Sequence, residues 1–202
     1  TDIMGTVVMK SGVTINGNGH QLGSVNLNGA DNVTLKNITF DAANAVTGYD
    51  GKGNAVQPAN IVTGDKNNNP GNGTNNLIIE GCTFTGTFAN GGVTIAFTDQ
   101  GRGSGQSGNI TIKDCTFSTK GAYCHIYTYY SGKEKFIIEN NNFVSTTLDK
   151  PIYLGRYQSS VPVVVKENKF ASVSSFEDAT YIQAHSAAYT VSFDASDNTF
   201  AQ

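Results

Sequence analysis

The chain has no Trp, only four Pro and three Cys, and charged residues make up just 14% of it. No apolar run approaches the length a membrane-spanning helix needs, so helical insertion into a bilayer is not expected. Three Cys cannot form a disulfide framework, and no Cys or His pair has metal-ligand spacing. A net charge of -3 leaves no basic footprint, which argues against nucleic acid as a partner. No signal peptide is visible and the first residue is Thr1, so we expect a processed form, or a module cut from a longer surface or secreted protein. What is present instead is Gly (23 residues), abundant Asn, Ser and Thr, and 38% apolar residues. The apolar residues alternate strictly, so they can bury a long core, and disorder is excluded.

That alternation sits inside a phrase that recurs along the chain and ends each time in Phe. It reads VTLKNITF (33–40), LIIEGCTF (77–84), ITIKDCTF (110–117), FIIENNNF (136–143) and VVVKENKF (163–170), with a looser FDASDNTF (193–200). Self-similarity of this kind marks a solenoid. Within VTLKNITF, Val33 and Leu35 point in while Thr34 and Lys36 point out. Asn37 tolerates the left-handed conformation that a sharp corner needs, and Ile38 and Phe40 point in from the next short strand. One repeat runs through nearly the whole chain, so residues 1–202 read as one domain.

Aligned on the last Phe, the phrases form columns. The exposed charged column is Lys36, Glu80, Lys113, Glu139, Lys166 and Ser196. Stacked at about 4.8 Å, like charges would repel, so the alternating signs read as a device that fixes register rather than as a binding stripe. The corner column is Ile38, Cys82, Cys115, Asn141, Asn168 and Asn198. Three successive Asn at one inward turn position predict a hydrogen-bonded ladder, with Cys82 and Cys115 as buried stacked thiols; a disulfide between them is the alternative. The Asn-x-Thr triplets at Asn32, Asn37, Asn72 and Asn109 read as repeat chemistry rather than glycan acceptors. The intervals between phrase-ending Phe residues are 44, 33, 26, 27 and 30, and the surplus in the longer ones is loops: 41–57, 65–76 and 99–109. Their Gly, Asn and Pro content makes them turn-rich.

The phrases ending NITF, CTF and NNF, with VTINGNGHQL (13–22) as an earlier winding, resemble right-handed parallel β-helix proteins of the pectate-lyase type. The resemblance covers essentially the whole chain. It implies an all-β right-handed parallel β-helix of about seven coils and three parallel sheets, and, in the enzyme members, a substrate groove along the first sheet. It does not imply an activity, because that fold also serves lyases, esterases and noncatalytic adhesins.

The groove-lining sheet would come from the strands between each Phe and the next phrase: NIVTGD, VTIAFTD, HIYTYY, PIYLGRYQ and YIQAHS. With Ile61, Ile95, Ile126, Ile152 and Ile182 inward, the outward set includes Ala96, Tyr127, Tyr129, Tyr153, Gln183 and His185, with Arg156 and Tyr157 at a strand end. Tyr offers flat apolar area and a hydroxyl at modest entropy cost, which suits a sugar ring, although it is also a good strand former. Tyr127, Tyr129, Tyr153, Arg156, Tyr157, Gln183 and His185 are therefore candidate contacts for an acidic or neutral polysaccharide, and the expected location is secreted or cell-surface.

A rival reading is a Ca²⁺-assisted uronate lyase. Asp65 and Asp99 end adjacent strands and could share Ca²⁺ as cofactor, with Arg156 or Lys66 as base or carboxylate clamp. Asp before a Gly/Asn loop is also an ordinary turn former. YLGRY (153–157) resembles the Leu-Gly-Arg segment in which pectin methylesterases carry a catalytic Arg, matching Leu154, Gly155 and Arg156. Tyr157 departs from the Pro found there, and no matching pair of catalytic Asp with its Gln is present. His125 and His185 lie two coils apart and read as surface residues, while His20 occupies a Phe-equivalent turn position. A third class is a noncatalytic adhesin or spacer, with flanking domains or end-to-end packing at the open ends of the coil.

Overall fold

A computed structural model describes residues 1–50, 53–64, 73–99 and 107–202. The chain winds as a parallel β-helix. One sheet has seven parallel strands, one per coil, and holds the first strand of each recurring phrase, while the short Phe-bearing strand that ends the phrase lies in the other sheet. A second sheet of 14 strands folds over the two remaining faces. Its joint is the strand Gln21–Asn26, which pairs at its start with Thr39–Asp41 and at its end with Ala55–Val62. A four-residue helix, Phe176–Ala179, opens with Ser175 accepting from the Asp178 N–H.

The predicted columns are physical stacks. Lys36 pairs with Glu80, Glu80 with Lys113, Lys113 with Glu139, Glu139 with Lys166 and Lys166 with Ser196. Ion pairs close at 3.5 Å for Lys113–Glu80 and 3.3 Å for Lys166–Glu139. The Phe rings at 40, 84, 117, 143, 170 and 200 stack face to face, with centroids 5.1, 4.9, 4.7, 4.7 and 5.6 Å apart. Ring spacing thus follows strand spacing, which is why the same residue type ends each phrase.

The corner after each charged residue takes a left-handed conformation at Asn37, Gly81, Asp114, Asn140, Glu167 and Asp197. Inside it runs the Asn ladder. Asn141 Nδ2 donates to Ile112 O at 3.0 Å, Asn168 Nδ2 to Ile138 O at 2.9 Å and Asn198 Nδ2 to Val165 O at 2.8 Å. Cys115 and Cys82 hold the matching places: their thiols are 3.7 Å from Ile79 O and Leu35 O, and nearer to Lys113 O (3.1 Å) and Glu80 O (3.5 Å) of their own turns. The S–H is thus a weaker version of the amide donor. Both thiols are free and buried.

Glu167 is the misfit of the corner column. A glutamate at φ 57 carries a steric cost that Asn or Gly largely avoids, and its ion pair with Lys166 is long, at 4.0 Å, and exposed. Glu167→Asn is expected to stabilise by about 0.5–1 kcal/mol, raising Tm by about 2 °C in a thermal melt. An unchanged or lower Tm would mean that the corner is not strained.

His20, expected from its Phe-equivalent position to be a partly buried turn residue, is exposed. Leu22, not His20, pairs with Phe40, because the first corner carries two further residues before its strand resumes. His20 is displaced to the surface, 3.4 Å from the Asp2 carboxylate.

Candidate functional site

Ile61, Ile95, Ile126 and Ile152 are fully buried, and Ile182 packs partly buried against the same core. The opposite side of these strands carries one column in register: Val62, Ala96, Tyr127, Tyr153 and Tyr181. Its first two members are small and buried. They are covered by an antiparallel hairpin in which Val46–Tyr49 pairs with the start of Ala55–Val62 and Gly48 packs against Val62. Val46 rests on the same apolar patch. The last three members are tyrosines and half-buried.

These rings form a stack of their own. Tyr127 and Tyr153 lie 5.8 Å apart at 23°, and Tyr153 and Tyr181 lie 4.5 Å apart at 22°. Tyr123 flanks Tyr153 at 6.0 Å, and its hydroxyl donates to Asp149 at 2.9 Å. That bond, with burial, pushes the Tyr123 phenol up to about 12. Burial also raises Tyr127 and Tyr153 above the ordinary phenol range. At neutral pH these hydroxyls are therefore neutral hydrogen-bonding groups and not bases. Where the stack meets the hairpin, Asp50, Asn54, Ala55, Val56, Gln57, Tyr127 and Tyr129 line an open cavity of about 490 Å³. The segment 41–57, predicted only as a surplus loop, thus supplies a wall of the site through its described residues Asp50, Asn54, Ala55, Val56 and Gln57 in the hairpin.

The strand ends hold the second part of the site. Tyr129 pairs with Gly155, so Tyr130 and Arg156 occupy the next corner together, both left-handed at φ 63 and 48. Arg156 is exposed. Its Nη1 donates to the Tyr130 hydroxyl at 2.7 Å, and its guanidinium lies 5.1 Å from the Tyr130 ring centre and 5.7 Å from that of Tyr129. The His185 ring is 4.7 Å from that of Tyr130. Gln183 is exposed on the last strand of the sheet.

Tyr157 does not belong to this face. The left-handed turn at Arg156 shifts the strand's phase by one residue, so Arg156 points out and Tyr157 points into the core. There it is fully buried, edge-on to Phe136 at 6.4 Å and pressed against Gly132, where an added Cβ would fall 2.0 Å from its ring. His125 is likewise not a surface residue. It is fully buried beside Phe117 (5.3 Å) and Phe143 (5.9 Å), with Nδ1 3.0 Å from Thr94 Oγ1. Its column, Asn60, Thr94 and His125, faces inward just before the Ile column does, because the chain bends as it enters each strand. Burial pushes the imidazole down to about 4.

Of the two acidic residues expected to share calcium, the structure describes Asp99. Asp65 lies outside the described residues. Asp99 is buried and its Oδ2 accepts from Ser107 N at 2.7 Å and from Ser131 Oγ at 2.5 Å. Desolvation lifts its carboxyl to about 7, outweighing those two bonds. Among the described residues there is no group of three His, Cys, Asp or Glu that could hold a metal ion. Asp99 therefore ties the far end of its own loop and the start of the next to one carboxyl group.

Three residues of the site went unassigned at the sequence level: Tyr181, Tyr123 and Tyr130. Tyr181 was within reach, since it precedes the inward Ile182 and so faces out by simple alternation. Tyr130 had no local signal, because a Tyr does not announce a left-handed corner. No protein-family model, no curated protein and no solved structure matches the chain.

Proposed function

We propose that the chain is a polysaccharide-binding β-helix module, secreted or displayed on a cell surface, whose ligand lies along Tyr127, Tyr153 and Tyr181. The observation that carries this reading is the outward stack of three half-buried tyrosines beside a cavity of about 490 Å³. Stacked phenols supply flat apolar area at strand spacing, and a polymer of repeating rings can follow such a surface. The walled cavity gives one ring of the polymer a defined seat, with the Asn54 and Gln57 amides to meet its hydroxyls. Kinship with pectate-lyase-type proteins is part of the proposal and rests on the parallel coils and the recurring phrases.

Tyr153→Ala and Tyr127→Ala are each expected to weaken glycan binding by about tenfold or more, measured by calorimetry on whichever oligosaccharide a glycan array selects. Both side chains lie outside the main core, so thermal melts should show folded variants. Unchanged affinity in both would remove the strip from consideration.

A further inference from the structure

One ring, Tyr129, belongs to both ends of the strip. On one side it lines the cavity, whose described walls include Asp50 and no Lys, Arg or His. On the other it lies 5.7 Å from the Arg156 guanidinium. Among the described residues Arg156 meets no carboxylate; it spends one donor on the Tyr130 hydroxyl and leaves the rest of its planar fork exposed. Beside it the half-buried His185 has a buried Nδ1 with no partner among the described residues. The fold also accepts strain to hold this arrangement. Neither Tyr nor Arg favours the left-handed region, yet both adopt it at adjacent register positions. The result aims a phenol and a guanidinium outward from one corner.

Building on the polysaccharide reading, we propose that Arg156, with Tyr130 and His185, clamps the carboxylate or sulfate of a glycan, while the adjoining neutral ring sits in the cavity over Tyr127 and Tyr129. An exposed guanidinium fork backed by two aromatic faces is suited to a planar carboxylate or to two sulfate oxygens. The cavity offers a second anion no cationic side chain among its described walls. A glycan in which an acidic residue stands next to a neutral one fits the described walls better than a uniform polyuronate does. The clamp works without a divalent cation.

Calorimetry in chelator tests this with four probes: an oligosaccharide alternating glucuronate with N-acetylglucosamine, oligogalacturonate, a neutral β-1,4-galacto-oligosaccharide and its sulfated form. The wild-type chain is expected to bind the alternating or the sulfated probe at least about tenfold more tightly than the neutral one, with a preference that fades in high salt. The stronger of the two identifies the anion. Arg156→Gln should erase that preference and leave neutral affinity within about twofold, and Arg156→Lys should restore only part of it. Equal loss for neutral and acidic probes, or no change, overturns the clamp. Oligogalacturonate binding as tightly as the alternating probe overturns the neutral cavity, and a preference that appears only without chelator overturns the metal-free assignment. Failure of every probe to bind overturns the polysaccharide reading, and the clamp with it; binding of the neutral probe alone overturns the clamp and leaves that reading standing.

Discussion

Asn168→Leu is expected to lower stability by about 2–5 kcal/mol in denaturant titration at pH 7, whereas Lys113→Ala lowers it by less than about 1 kcal/mol. Asn168 is the middle rung of the buried ladder. Its Oδ1 accepts from Asn141 N at 2.9 Å and from Asn141 Nδ2 at 3.0 Å, and its Nδ2 donates to Ile138 O at 2.9 Å and Asn198 Oδ1 at 3.1 Å. Leucine is nearly isosteric but can make none of these bonds. It would strand the Asn141 N–H and leave the Ile138 carbonyl with one partner fewer in an interior that water does not reach, at about 1–3 kcal/mol for each buried group left unsatisfied. Lys113 faces solvent and its ion pair with Glu80 spans 3.5 Å, so its loss is screened by water. The comparison separates two ways of fixing register. Similar small losses for both variants would mean that the Asn column is not what holds the coils in step.

Both ladders were visible in the sequence, for the same physical reason. A strand has a period of two, so a phrase repeated in register puts the same chemical type on the same face of successive coils, and a column of Asn or of alternating charge survives any error in the loops. The Phe column and the inward Ile column were legible on the same grounds. Legibility stopped wherever the backbone departs from that period. Arg156 turns left-handed although an arginine gives no signal for that conformation, so Tyr157 was counted among the ligand contacts when it is in the core. His125 follows a bend that buries two neighbours in succession, so alternation from Ile126 placed it wrongly. The wall of the site was hidden for a different reason: the hairpin that covers Val62 and borders Tyr127 makes non-local contacts, and nothing in residues 41–57 names the surface they cover.

The buried His125 and Asp99 lead to the other large effect, one that the wild-type chain conceals. Burial pushes the His125 imidazole from 6.5 to about 4, so between those values the unfolded chain binds a proton that the folded chain does not. Stability therefore rises with pH across this window. Burial lifts the Asp99 carboxyl from 3.8 to about 7, so there the folded chain holds a proton that the unfolded chain has lost, and stability falls as pH rises. Each slope is about 1.4 kcal/mol per pH unit, and from pH 4 to 6.5 the two have opposite sign. Their sum should be nearly flat in the wild type. Asp99→Asn keeps an acceptor for Ser107 N and Ser131 Oγ but removes the proton, so its stability relative to wild type should climb by about 3 kcal/mol between pH 4 and 6.5. His125→Gln should show the opposite trend, falling by a similar amount over the same range. Denaturant titrations at half-unit pH steps measure both, and the slope is informative even if either substitution carries a constant packing cost. Parallel pH profiles for the two variants would show that neither group titrates in the buried state described, and the tight seating of His125 between the Phe stack and Thr94 would then have to be abandoned.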